Sequence, residues 1–154
     1  MKRRCILVSA CLLGLPCRYD GTEKGHPDVI SLLTRDDLTL IPVCPEQLGG
    51  LPTPRMPAER HGDRVISRDG ADVTEQYRRG AQQTLRLAQM YGCDCAVLKE
   101  RSPSCGAGQI YDGSFSGMLT DGDGVTAELL RRHGIAVLGE SGLAAPENDR
   151  GNET

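Results

Sequence analysis

Residues 5–14 read CILVSACLLG, a short apolar run that passes directly into a cysteine-containing loop. The arrangement recurs twice, where an apolar run at 39–43 leads into PVCPE and another at 95–99 leads into ERSPSC. A fourth apolar run, without a cysteine motif after it, occupies 135–138. Continuous apolar runs of this length predict strands covered on both faces, as in a parallel sheet.

Helical patterns separate these predicted strands. Residues 27–34 begin with a proline and carry apolar side chains at helical spacing. The clearest helix is predicted over 73–91, with Asp72 in a capping-box position and a glycine at its end. A third helix is predicted near 124–133, with Asp123 as its cap. Strands that alternate with helices imply βαβ units and right-handed crossovers.

The fold class predicted from this alternation is α/β, a single three-layer sandwich with a mostly parallel, Rossmann-like sheet over residues 1–140. Two segments interrupt the alternation. Residues 49–71, rich in proline, glycine and charge, are predicted to form a long functional loop, and residues 107–122 a hairpin. Residues 141–154 are predicted to be a disordered tail.

The composition excludes several classes of protein. With 18 basic and 21 acidic residues, the net charge of −3 does not favour stable nucleic-acid binding, and 3% aromatic residues provide little surface for base stacking. No apolar run is long enough to span a membrane, so a cytoplasmic protein is expected. Seven cysteines, an odd number, favour metal ligands, catalytic groups or buried thiols over a disulfide framework.

Three cysteines follow three predicted strands. In parallel α/β sheets, ligands bind beyond the carboxyl ends of the strands, where Cys11, Cys44 and Cys105 are placed by the sequence. Three thiolates without a fourth ligand favour a soft metal or an iron–sulfur cluster with one open coordination position. Burial as ordinary core cysteines is the alternative. Cys17 is close enough in sequence to Cys11 to be a spare thiol near the site.

Five polar residues in these motifs are candidates for catalysis or substrate binding. Glu46 is placed to act as a general acid or base, or else to cap a helix or pair with Arg55. Ser102 and Ser104 can donate hydrogen bonds to a substrate, or form the turn around the intervening proline. Arg18 and Arg55 can hold substrate oxygens, or be structural or solvated arginines.

Three motifs resemble those of the bacterial thiouracil desulfidase family, formerly a domain of unknown function: SACLLGLPCRYDG, PVCPEQLGGLPTPR and LKERSPSCGAGQIYDG. The resemblance covers roughly residues 3–140, with three motifs in the family's order. It implies a [4Fe–4S] cluster bound by Cys11, Cys44 and Cys105, with an open iron that takes the substrate's sulfur. It also implies catalytic roles for Glu46 and Ser102.

The activity implied by the resemblance is conversion of a thiolated pyrimidine, thiouracil or a related thiouridine compound, to uracil or its analogue plus sulfide. Two alternatives of other kinds stay open. One is a non-catalytic iron–sulfur or metal-binding protein that carries or senses sulfide. The other is a zinc-dependent hydrolase that uses the same cysteines.

Overall fold

A computed structural model describes residues 3–143, so most of the tail predicted at 141–154 lies outside the described residues. The central sheet consists of four parallel strands, Arg4–Ser9 (β1), Leu38–Val43 (β2), Cys95–Leu98 (β5) and Ala136–Gly139 (β8), in the spatial order β2–β1–β5–β8. All four strands predicted from the apolar runs are therefore confirmed. Within the described range, no helix has the length and apolar character to cross a membrane.

Helices cover both faces of this sheet. Thr74–Tyr91 (α3) and Val125–Arg132 (α4) pack against one face. The other face is covered by Pro27–Ile30 (α1) and by short 3₁₀ helices at Ala10–Leu13 and Ser31–Thr34. Side chains alternate between the two faces along β1, as the strand period requires. The three-layer α/β prediction is confirmed.

The segment at 49–71 is not a continuous loop as predicted. It contains an antiparallel hairpin, Ala58–His61 (β3) and Arg64–Ser67 (β4). The strands have only four residues each, and three of the eight residues are charged, so the sequence offers no run long enough to show a strand pattern. The hairpin predicted within 107–122 is confirmed as Gln109–Tyr111 (β6) and Leu119–Asp121 (β7).

Both predicted helix caps are wrong by one residue. The N-cap of α3 is Val73, although the Asp72 carboxylate still accepts a hydrogen bond from the backbone N–H of Thr74 at 2.9 Å. The N-cap of α4 is Gly124 rather than Asp123. A side chain at Gly124 would overlap the backbone of the loop at 102–106, so the start of α4 is set by tertiary contact.

Two glycines bring a short helix, Pro45–Leu48 (α2), into backbone contact with α3. A Cβ on Gly80 would overlap the carbonyl oxygen of Pro45, and a Cβ on Gly49 would overlap that of Gln76. Any larger residue at either position would force the helices apart. Because α2 begins directly after Cys44, this contact fixes one of the three cysteine motifs against the body of the protein.

Replacing Gly80 by alanine tests this contact, because two effects have opposite signs. Alanine is the better helix former by about 1 kcal/mol, so helix propensity alone predicts stabilisation. Overlap with α2 instead predicts a loss of about 1–3 kcal/mol in the free energy of unfolding. Urea denaturation measures the difference. Gln83→Ala, exposed on the same helix, is the control and should change stability by less than about 0.5 kcal/mol. A Gly80→Ala variant as stable as the wild type would contradict the analysis.

Candidate functional site

A cavity of about 520 Å³ opens at the carboxyl ends of β1, β2 and β5. Its wall contains Cys11, Cys44 and Cys105, each from the loop that follows one of these strands. The structure thus brings together the three cysteines that the sequence places at strand ends. Cys17, which the sequence left as a spare thiol, lines the same cavity.

The four thiols influence one another. A hydrogen bond with Cys11 raises the pKa of the Cys17 thiol above its ordinary value. The pKa of the Cys44 thiol is raised strongly, mainly by a hydrogen bond with Cys17 and to a lesser extent by burial. Burial raises the pKa of Cys105 to about 12, partly offset by a hydrogen bond with Ser9. The raised pKa values of Cys17, Cys44 and Cys105 favour the protonated thiol, which a bound metal group would convert to the thiolate.

The arrangement of these thiols bears on the kind of metal group that they could hold. Within residues 3–143, no three Cys, His, Asp or Glu side chains lie close enough to hold one metal ion. A single zinc ion needs its ligands at about 2.0–2.3 Å from a common centre. An iron–sulfur cluster binds each thiolate through a different iron, so its ligands stand further apart. Among the described residues, a set of thiol donors without a group of three around one ion fits a cluster better than a single ion.

The loop that carries Cys105 is held by the first turn of α4. The backbone N–H of Val125 donates to the carbonyl of Pro103 at 2.9 Å, and that of Thr126 donates to the carbonyl of Ser104 at 2.8 Å. Because the first amides of a helix have no partner within the helix, they are free to bind this loop. The loop is therefore fixed by a helix start rather than by its own turn residues alone.

Glu46 lies in a nearly buried ion pair in the cavity wall. Its carboxylate accepts a hydrogen bond from Nε of Arg55 at 2.9 Å, and the two side chains are 15% and 7% exposed. The Tyr77 hydroxyl also donates to this carboxylate, and burial raises the pKa of Tyr77 well above its usual value. Burial lowers the pKa of Arg55, but the adjacent Glu46 carboxylate outweighs it, so the net shift is upward. Two permanent donors therefore orient the Glu46 carboxylate.

Arg55 is engaged mainly with the protein. Besides Glu46, its guanidinium donates to the carbonyl of Pro52 at 3.1 Å, to Oγ1 of Thr53 at 2.9 Å and to the carbonyl of Cys17 at 2.9 Å. These bonds tie the loop before β3 to the cysteine motif after β1. The contact with Glu46 matches the pairing that the sequence left open, and it makes Arg55 a positioning residue for that carboxylate.

The other predicted polar residues differ in their access to the cavity. Ser102 lines it, and its Oγ accepts the backbone N–H groups of Ser104 and Cys105, each at 3.1 Å. Ser104 is buried, and its hydroxyl bonds that of Thr126 at 2.8 Å instead of facing the cavity. Arg18 lines the cavity, and its guanidinium donates to Oγ1 of Thr22 at 3.3 Å.

Two residues of the site were missed in the sequence. Tyr77 has the spacing of a core position on α3, which hides its contact with Glu46. Ser9 ends β1, and its Oγ accepts the backbone N–H of Lys99 at 2.9 Å beside Cys105. A polar residue at the end of an otherwise apolar strand, two positions before Cys11, was the available signal for Ser9.

Comparisons with known proteins agree on one family. The 2-thiouracil desulfurase family matches residues 6–142. An uncharacterized protein of Bacillus subtilis (strain 168), YbbK, is 43% identical over 148 residues, which cover 90% of this chain and 97% of that protein. The solved structure of a [4Fe-4S]-dependent thiouracil desulfidase, TudS, is similar with a TM-score of 0.83 and 49% identity, covering 90% of this chain and 92% of that one.

The ion pair between Glu46 and Arg55 can be tested by removing one partner. Arg55→Met leaves a carboxylate buried without its cation and should lower the free energy of unfolding by about 3–5 kcal/mol. Adding Glu46→Gln to that variant should restore part of the loss, because a neutral amide is less costly to bury. Chemical denaturation of the single and double variants measures both values.

The matched control is Arg78→Met, which removes an arginine from an exposed pair with Glu75. Its stability should change by about 1 kcal/mol at most. Equal effects of the substitution at positions 55 and 78 would refute the special role of the buried pair.

Proposed function

The chain belongs to the 2-thiouracil desulfurase family, and on that premise we propose that it is a [4Fe–4S]-dependent thiouracil desulfidase. The reaction exchanges the sulfur of a thiolated pyrimidine for the oxygen of water and releases sulfide. The observation that carries the proposal is the cavity at the sheet edge, whose wall combines Cys11, Cys44 and Cys105 with the oriented carboxylate of Glu46.

Cys11, Cys44 and Cys105 are the proposed ligands of the cluster. When bound, the cluster supplies a Lewis-acidic iron that accepts the sulfur of the substrate. The three ligands come from three separate strand ends, so the sheet sets the distances between them. Cys17 contacts two of them without belonging to the proposed ligand set.

Glu46 is the proposed general base. Its carboxylate takes a proton from the water that replaces sulfur at the ring carbon, while Arg55 and Tyr77 hold it in place. Ser102 is the proposed hydrogen-bond donor to the ring. Its Oγ already accepts two backbone N–H groups, and among the hydrogen bonds described for residues 3–143 none uses its proton. Accepting two such bonds strengthens a hydroxyl as a donor.

Two alternatives are less well supported. A protein that only carries or senses sulfide has no need of a carboxylate held by two donors in the cavity wall, as Glu46 is. A zinc-dependent hydrolase needs ligands that converge on one ion, and the described residues offer no such group of three. The desulfidase is therefore the function that the site geometry favours.

The charge of the cavity wall favours an anionic member of the thiopyrimidine class, such as a thiouridine monophosphate. Six cationic side chains and three carboxylates line the cavity, although the whole chain has a net charge of −3. Glu46 neutralises Arg55, and Lys99 pairs with Glu140 outside the cavity wall at 3.0 Å. The remaining cations of the cavity wall are Arg18, Lys24, Arg68 and Arg101.

Serine substitutions should separate the proposed ligands from Cys17. Cys11→Ser, Cys44→Ser and Cys105→Ser each remove a thiolate and should lose most of the iron and acid-labile sulfide after anaerobic reconstitution. Cys17→Ser keeps the three ligands and should retain about four irons and four sulfides per chain. Loss of the cluster in Cys17→Ser, with retention in Cys105→Ser, would overturn this ligand assignment.

Glu46→Gln should keep the cluster and lose turnover. The amide has nearly the shape of the carboxylate but cannot take a proton, so the rate should fall by about 10²–10⁴-fold. Sulfide release is measured anaerobically with 2-thiouracil, 4-thiouracil and thiouridine monophosphates, beside the iron content of each sample. Wild-type activity in a cluster-loaded Glu46→Gln variant would exclude Glu46 as the base. A cluster-loaded wild type that releases no sulfide from any of these compounds would exclude the proposed function.

A further inference from the structure

The aromatic side chains of this chain are concentrated at the cavity. The sequence has only four tyrosines and one phenylalanine. Four of these five residues line the cavity wall: Tyr19, Tyr77, Tyr111 and Phe115. The fifth, Tyr91, is exposed at the end of α3. The hydroxyl of Tyr77 is bonded to Glu46. Tyr111 and Phe115 belong to the β6–β7 hairpin and form the aromatic surface on that side of the cavity.

Phe115 has an unusual backbone conformation. Among the residues that the structure describes, Phe115 (φ 56°) and Arg101 (φ 68°) are the two non-glycine residues with left-handed backbone. Both line the cavity. A bulky residue in this region is strained, and such strain persists where the surrounding structure enforces it, often at functional sites.

Glu59 enforces the conformation of Phe115. One oxygen of its carboxylate, Oε1, accepts the backbone N–H of Phe115 at 3.1 Å and that of Gly113 at 3.0 Å. Gly113 itself is tightly packed, since a Cβ there would lie 2.8 Å from Nδ1 of His61. The guanidinium of Arg68, on the strand-end side of β4, lies 5.6 Å from the centre of the Phe115 ring. The β3–β4 hairpin thus contacts the turn between β6 and β7 in two ways. Glu59 binds the backbone of the turn, and Arg68, just after β4, lies over the ring of Phe115.

We propose that Phe115 is a specificity-determining residue that contacts the flat pyrimidine ring of the substrate, and that Glu59 is its positioning residue. This inference rests on the proposed desulfidase function. A planar heterocycle gains affinity by stacking on an aromatic side chain, and this gain does not depend on the sulfur atom. In this proposal, the strained turn presents the only phenylalanine of the chain to the cavity.

The test compares four variants and one control variant with the wild type, all as reconstituted, cluster-loaded protein. Phe115→Leu keeps apolar volume and loses the flat ring, whereas Phe115→Tyr keeps the ring. Glu59→Ala loses the acceptor, whereas Glu59→Gln keeps an Oε1 that can accept both N–H groups. Tyr91→Leu is the control for loss of an aromatic ring far from the cavity. Melting temperature and iron content show that each variant is folded and loaded.

Two quantities are measured: the Kd for uracil by calorimetry, and KM and kcat for 2-thiouracil. Phe115→Leu and Glu59→Ala should raise Kd and KM by about tenfold, the loss of one stacking contact, with kcat within about twofold. Phe115→Tyr, Glu59→Gln and Tyr91→Leu should stay within about threefold of the wild type. Unchanged Kd and KM in folded Phe115→Leu overturn the proposal.

Failure of the proposed function is distinguishable from failure of this inference. If the loaded wild type releases no sulfide but binds uracil more tightly than Phe115→Leu does, the desulfidase assignment fails and the role of Phe115 stands. If the wild type turns over 2-thiouracil and Phe115→Leu matches it in KM and Kd, only the inference fails. If the wild type neither binds uracil nor releases sulfide, both fail.

Discussion

The site depends on the backbone contact between α2 and α3 at Gly49 and Gly80. Helices in ordinary contact are kept apart by their side chains. Here α2 is close enough for its first turn to place Glu46 against Tyr77 of α3, while Cys44 just before it faces the cavity. One packing constraint in a helix of only four residues therefore positions both a proposed cluster ligand, Cys44, and the proposed general base, Glu46.

Around this contact, the protein holds its reactive groups through partners from distant parts of the chain. Arg55 links Glu46 to the loop that carries Cys17, and the start of α4 binds the loop that carries Cys105. Charged and polar groups at low exposure are stable only with such partners. The same bonds that satisfy these groups also limit how the cysteine loops can move, so stability and preorganisation of the site have a common origin.

The sheet and the three cysteine motifs could be predicted from the sequence because both rest on local patterns. Apolar runs predict buried strands, and a residue directly after a parallel strand lies at the ligand-binding edge. Tyr77, Glu59 and the N-caps of α3 and α4 depend on tertiary contacts that no local pattern records. The β3–β4 hairpin was missed because its strands have only four residues each, which is too short for a strand pattern to stand out in a segment rich in proline and glycine. The pairing of Arg55 with Glu46 was foreseen only as one of three options for Glu46, since spacing in a loop does not fix a partner.

Glu59 joins the two hairpins by binding the turn between β6 and β7, so the cavity wall consists of two structurally different parts. One part lies at the edge of the central sheet and holds the thiols. The other part is formed by the two hairpins, where Glu59 binds the backbone of Phe115. The strands of the two hairpins do not pair with the central sheet, although Ile110 of β6 lies directly beside Gly106 in the loop that carries Cys105. The outer wall of the cavity can therefore be reshaped through the β3–β4 hairpin and the turn that carries Phe115, while the strands that present the three cysteines stay the same.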